Sequence, residues 1–163
     1  MKAVSLVAAV GAMLVSHVAF AQTATQTVTF QVDAINEVSV STANTSLAIN
    51  SAVAGSDPVS ATSTGLTWAV TTNQSGAKIT GILSADMPSG LTLSVALTAP
   101  SGATAANSGN PVALSSASTD LVTGISTLAA TGLSMQYKLD ATAAAGVVAS
   151  DSRTVTYTIT GGA

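Results

Sequence analysis

The sequence predicts an all-β fold: one antiparallel β-sandwich of the immunoglobulin-like or jelly-roll type, with eight or nine strands. Three observations carry this. Short runs alternate apolar and polar residues with period two, as half-buried strands require. Gly, Pro, Asn, Asp and Ser punctuate the gaps between those runs. Val, Ile, Leu and Thr are abundant, while charged residues make up only 7% of the 163, so the chain has a core to bury and resembles neither a disordered nor a helical protein.

The elements follow in order. Residues 1–21 read as a signal peptide: Met1-Lys2 gives a positive start, Ala3 to Val15 an apolar run, and Ala19-Phe20-Ala21 a small-x-small cleavage site. The run is shorter than the roughly 20 residues of a membrane span and is broken at Ser16-His17. An exported product, residues 22–163, with no membrane span after processing is expected. It forms a single sandwich domain.

Its first segment, Gln22 to Val32, places Ala24, Gln26, Val28, Phe30 and Val32 on one face and Thr23, Thr25, Thr27, Thr29 and Gln31 on the other. That is a strand about twice the common length of five or six residues. Glu37 to Ser41 and Ser46 to Asn50 follow as short strands, then Leu66 to Val70. Asn73-Gln74-Ser75-Gly76 reads as a hairpin connection into Lys78 to Leu83. Met87-Pro88-Ser89-Gly90 marks a gap. Leu91 to Leu97 alternates most clearly, up to Pro100. Ser101 to Pro111 is a Gly/Ser/Asn loop, and Val112 to Leu114 a short strand. Thr119 to Ile125 reads as irregular or one-turn helical. Leu133 to Leu139 is a strand, and Ala141 to Ala149 is where helix competes with loop. Val155, Tyr157 and Ile159 close the chain with TVTYTI, an echo of the earlier TVTFQV. Shared strand composition accounts for that echo better than duplication does.

Composition excludes much chemistry. The sequence has no Cys and a single His, His17, inside the predicted signal peptide. Histidine triads, thiol nucleophiles and most zinc sites are therefore closed to the processed chain, as is the disulfide staple of small secreted domains. Net charge is −3, and processing removes Lys2 as well, so nucleic acid is not an expected partner. Asp33 and Glu37 are the one close acid pair, the minimum for a glycosidase. In turn geometry they read better as a solvated corner. The other Asp residues stand beside turn formers and are expected to cap them. No calcium-loop spacing is present, and no pattern calls for a cofactor or metal. Lys78 and Lys138 have no spacing that points to an isopeptide crosslink. Asn44-Thr45-Ser46 and Asn73-Gln74-Ser75 match glycosylation acceptors. Trp68, Tyr137 and Tyr157 fall in phase with aliphatic neighbours and are expected in the core rather than on a sugar platform.

What remains with positive support is assembly. Val28, Phe30 and Val32, if buried, would contribute about 1.5–3 kcal/mol each. Residues 28–32 suit pairing within their own sandwich as well as with a neighbour, whereas 22–27 look surplus to one sandwich. Addition of such a strand to a neighbouring edge, repeated head to tail, makes a filament.

The predicted signal peptide, the alternating first strand, the Ser/Thr/Ala-rich sandwich and the closing Thr154 to Thr160 together resemble secreted bacterial fimbrial subunits. These include chaperone–usher pilins and spore-coat-U-like proteins, and a different sandwich-based biofilm fibre fits equally. The resemblance implies a structural, non-enzymatic protein, secreted or at the cell surface, whose partners are other copies of itself. A periplasmic chaperone or outer-membrane assembly factor would serve them. Ala24, Gln26, Val28, Phe30 and Val32 would be donor positions, and Val155, Tyr157 and Ile159 would line the acceptor edge. The chain departs from the pilin pattern in lacking a disulfide and a glycine within the donor alternation. Tyr157 also lies six residues before the end. The alternative function is a monomeric secreted module binding a glycan or surface ligand beside the 101–111 loop; a hydrolase using Asp33 or Glu37 ranks below both. TVTFQV and TVTYTI also suit steric zippers.

Overall fold

The computed structural model describes residues 21–107 and 110–162. The predicted signal peptide, apart from Ala21, lies outside them. Residues 21–32 contain neither helix nor strand, and all are exposed. The expected strand over Gln22 to Val32 is thus not formed within its own chain. A ladder needs a partner edge, and period-two patterning supplies only one side of it.

From Asp33 onward the chain is an all-β sandwich of two antiparallel sheets. Its strands are β1 (Asn36–Val40), β2 (Ala61–Thr62), β3 (Leu66–Thr72), β4 (Ala77–Leu83) and β5 (Leu91–Leu97), then β6 (Thr104–Ala105), β7 (Val112–Ala113), β8 (Thr119–Ile125), β9 (Leu128–Ala141) and β10 (Val155–Thr160). One sheet has the order β1-β3-β9-β5-β7, with β2 also on β9; the other has the order β10-β4-β8-β6. β1 and β10 are therefore edge strands. Among the described residues there are ten strands rather than the expected eight or nine.

Alternation explains most elements directly. In β4 every second residue from Ala77 to Leu83 is buried. Between the sheets lie Trp68, Val70, Ile79, Val95, Val122 and Ile125, each at most 2% exposed. Dense packing of such side chains is the main source of stability in a chain without crosslinks. Trp68 adds an indole N–H bond to the Thr98 carbonyl at 3.2 Å.

Four expectations change. The Asn73–Gly76 corner is no hairpin: β3 and β4 lie in different sheets, so it carries the chain across the sandwich. Thr119–Ile125 is a strand. Its register on β4 slips between Ala77 and Ile79 and again between Ile79 and Thr80. The extra residues let Leu121 and Val122 both point inward, at 2% and 0% exposure, and Gly124 takes φ 73° within the bulged stretch. That is why simple period-two counting missed it. Ser46–Asn50 forms no strand. Of Ala141–Ala149 only Ala143–Ala145 is helical, as a single 3₁₀ turn.

β2 was not legible because it is two residues long. It flanks β9 in line with β3, and the break between them is bridged by Ser63. The Ser63 hydroxyl accepts from the Tyr137 amide at 2.8 Å while the Ser63 amide donates to the Tyr137 carbonyl at 3.0 Å.

Candidate functional site

The site is an open groove in the sandwich with a volume of about 1150 Å³. Three groups of residues line it. The first is the inner face of the larger sheet where β3 begins and β9 ends: Leu66, Met135, Tyr137 and Leu139, joined by Leu91 and Leu93 of β5. These are the inward positions of alternating strands.

The second group is the stretch that follows β1. Leu47 and Ile49 are half-buried in it, while Ser46, Ala48 and Asn50 are exposed. The alternation expected of a strand is thus present in the side chains. The ladder is not: among the described residues, 45–50 make no backbone–backbone hydrogen bond. The third group is the approach to β10 and its first half, from Gly146 to Val155 and Tyr157. Val147 and Val148 stand exposed in that approach.

Among the described residues β10 has a ladder with β4 alone, from Val155↔Leu83 to Thr160↔Lys78. β1 lies against it without a ladder. Val155, Tyr157 and Ile159 are its half-buried face and Thr156, Thr158 and Thr160 its exposed one. Of the three expected acceptor residues, Val155 and Tyr157 line the groove. Ile159 lies further along the strand, packed against the core.

Two tyrosines join the sheets at this site. The Tyr137 and Tyr157 hydroxyls are 2.7 Å apart. Burial pushes both phenols above the ordinary tyrosine range, Tyr157 far above it because the Tyr137 hydroxyl beside it disfavours a second charge. Both stay neutral, so the groove is uncharged at its inner end. Its rim carries one tight ion pair, Arg153 Nη1 to Asp151 Oδ2 at 2.6 Å, and Arg153 Nε donates to the Asp86 carbonyl at 3.1 Å. Held between an acid and a carbonyl, this cation positions the 151–154 approach to β10.

The five expected donor residues lie outside this site. Ala24, Gln26, Val28, Phe30 and Val32 are all exposed; for the three large side chains the values are 71%, 89% and 77%.

Three of the acids follow the capping expectation. Asp86 accepts from the Ser116 amide at 2.7 Å, Asp57 from the Ala143 amide at 2.8 Å, and Asp151 from the Ser152 amide at 2.7 Å. Asp120 and Asp140 pair instead with Lys78 and Lys138. Asp33 and Glu37 are exposed. Trp68 and Tyr137 are core residues and Tyr157 half-buried, so among the described residues Phe30 is the exposed aromatic, and it is far from the 101–111 loop in sequence. Among the described residues no three His, Cys, Asp or Glu side chains gather, and no helix is long and apolar enough to cross a membrane. The residues sequence reasoning missed are Leu47 and Ile49; their alternation was read, but not that they would line a groove.

No family model, curated protein or solved structure matches the chain.

Proposed function

We propose that this protein is the structural subunit of an extracellular or cell-surface fibre, assembled by strand addition between copies. Residues 22–32 of one copy enter the groove of the next and pair with the outer edge of β10, turning Val28, Phe30 and Val32 onto the apolar groove lining. Ala24 and Gln26 extend the same face. The carrying observation is complementarity within one chain. A strand-patterned segment leaves three large apolar side chains more than 70% exposed, and the same protein has, beside an edge strand, an open groove lined in part by Leu66, Leu91, Leu93, Met135 and Leu139.

Physical chemistry supports the match. Large exposed apolar side chains in series mark an interaction surface. Backbone pairing to β10 supplies direction and register, and alternate side chains supply specificity. Leu47 and Ile49 offer a second alternating edge on the other side of the groove. Low charge density leaves little repulsion between copies. The resemblance to fimbrial subunits points the same way.

The deciding experiment removes residues 22–32 and images purified material by negative stain. Filaments are expected from the processed chain and none from the shortened one. Wild-type-like filaments without those residues would sink the proposal. A full-length chain that stays monomeric at high concentration would point instead to the binding module.

A further inference from the structure

The corner between β3 and β4 holds the start of β1 in an unusual grip. Asn73 bonds it three times: its Oδ1 accepts from the Ile35 amide at 2.8 Å, its Nδ2 donates to the Asp33 carbonyl at 2.7 Å, and its own amide donates to the Ile35 carbonyl at 3.3 Å. Next to it the Asn36 Nδ2 donates to Gln74 Oε1 at 2.5 Å, and the Thr72 hydroxyl donates to Asn36 Oδ1 at 2.8 Å. All of these residues are exposed or half-buried except Thr72, so the clasp adds little to the core.

Its effect is directional. β1 pairs antiparallel with β3 from Asn36↔Thr72 to Val40↔Trp68. Bonding Ile35 and Asp33 to Asn73 continues that line past the end of the pairing, towards the β3–β4 corner. The groove lies at the opposite end of β1: the first β1 residue to line it is Val40. Asp33 is seven residues from Val40, about 23 Å along an extended chain. The clasp thus fixes Asp33 and Ile35 beyond the end of β1 that is away from the groove.

A chain clasped this way has to reverse within residues 30–32 to approach its own groove. The reversal would consume Phe30 and Val32, which are needed as groove-filling residues. With the clasp open, residues 33–35 can make the turn and spare them. We infer that Asn73 is a positioning residue that forces the groove to be filled by another copy and so selects polymer over self-filled monomer. This rests on the strand-addition reading and adds to it the element that decides between self and neighbour.

Three full-length processed variants test it. Asn73→Ala removes both side-chain bonds, Asn73→Asp keeps the acceptor for Ile35 but loses the donor to Asp33, and Phe30→Asp disables the inserted face. Polymer yield, melting temperature of the single-subunit fraction, and uptake of a labelled peptide of sequence 22–32 are measured. Asn73→Ala is expected to lose most polymer and yield single subunits that refuse the peptide. Those subunits should melt above the Phe30→Asp single subunits, because their grooves are filled. Asn73→Asp should fall between Asn73→Ala and wild type. Wild-type polymer yield from Asn73→Ala, or single subunits that take up the peptide or melt no higher than Phe30→Asp, would overturn the inference. Wild-type polymer from Phe30→Asp would instead overturn the strand-addition reading beneath it.

Discussion

On the strand-addition proposal, Phe30 matters to assembly and not to folding. At 89% exposure it contributes almost nothing to the fold of its own subunit, so Phe30→Ala should leave the melting temperature of single subunits unchanged. Between copies the same truncation should cost about 3–5 kcal/mol per junction, the usual loss for a buried aromatic, read as a rise in the critical concentration for filaments. Equal losses in both measurements would mean that Phe30 packs within its own chain. Tyr157 and Tyr137 make a pH prediction. Their folded pKa values are raised, so the neutral form is favoured and the stabilisation is complete below the unfolded value near 10. As pH rises past about 10 the unfolded chain ionises first, and stability should fall by about 1.4 kcal/mol per pH unit for each tyrosine kept neutral. Denaturant unfolding between pH 8 and 11 checks this. Tyr157→Phe should flatten the slope, and an unchanged slope would contradict the burial argument. At the acid end the carboxylates of Asp86, Asp140 and Asp151 sit below their ordinary range, by the Ser116 amide, by Lys138 and by the Ser152 amide respectively. Their contribution is lost only as pH falls through those lowered values.

Among the elements, the segment 44–50 and the strand β10 are two halves of one unfinished surface. Both alternate, both turn apolar residues to the groove, and neither has a ladder partner on its groove side among the described residues. Leu47→Asp should abolish assembly and also lower the single-subunit melting temperature, because Leu47, although in no ladder, packs half-buried against the core. Filaments that persist in that variant would remove Leu47 from the assembly surface. Gly90 shows a different case. Its φ is 78°, and a Cβ there would lie 2.9 Å from the Ala145 backbone nitrogen, where nothing flexible can yield. Gly90→Ala should destabilise the subunit by more than about 1 kcal/mol, measurable by chemical denaturation. These elements also show what the residue pattern makes legible. Leu91 to Leu97 and Val155 to Ile159 were readable because each uses strict alternation on a half-buried sheet. Leu121-Val122 was not, because a bulge suspends the period that the reading relies on. Ser46 to Asn50 was readable as a pattern, but pairing depends on a partner the local sequence does not name.

For the molecule as a whole, stability has to come from the two-sheet core, since there is no disulfide. Ile79→Ala, at 0% exposure, should cost about 2–5 kcal/mol and lower monomer stability and polymer yield together, unlike Phe30→Ala. On the strand-addition proposal, a donor of one copy in the groove of the next makes assembly head to tail, which gives filaments rather than closed rings when the rotation per subunit does not close. The local chemistry of the chain by itself determined that it is all-β, that Trp68 and Tyr137 are core residues, that Asp57, Asp86 and Asp151 cap turns, and that residues 22–32 have the pattern of a strand. Those properties follow from side-chain periodicity and composition, which are local. Only the tertiary structure decided that 22–32 forms no strand in its own chain, that Asn73–Gly76 crosses between sheets, and that Leu47, Tyr137 and Tyr157 meet at one groove. Such facts depend on which strand lies beside which, and long-range pairing is set by the packing of the entire core rather than by any stretch of residues within it.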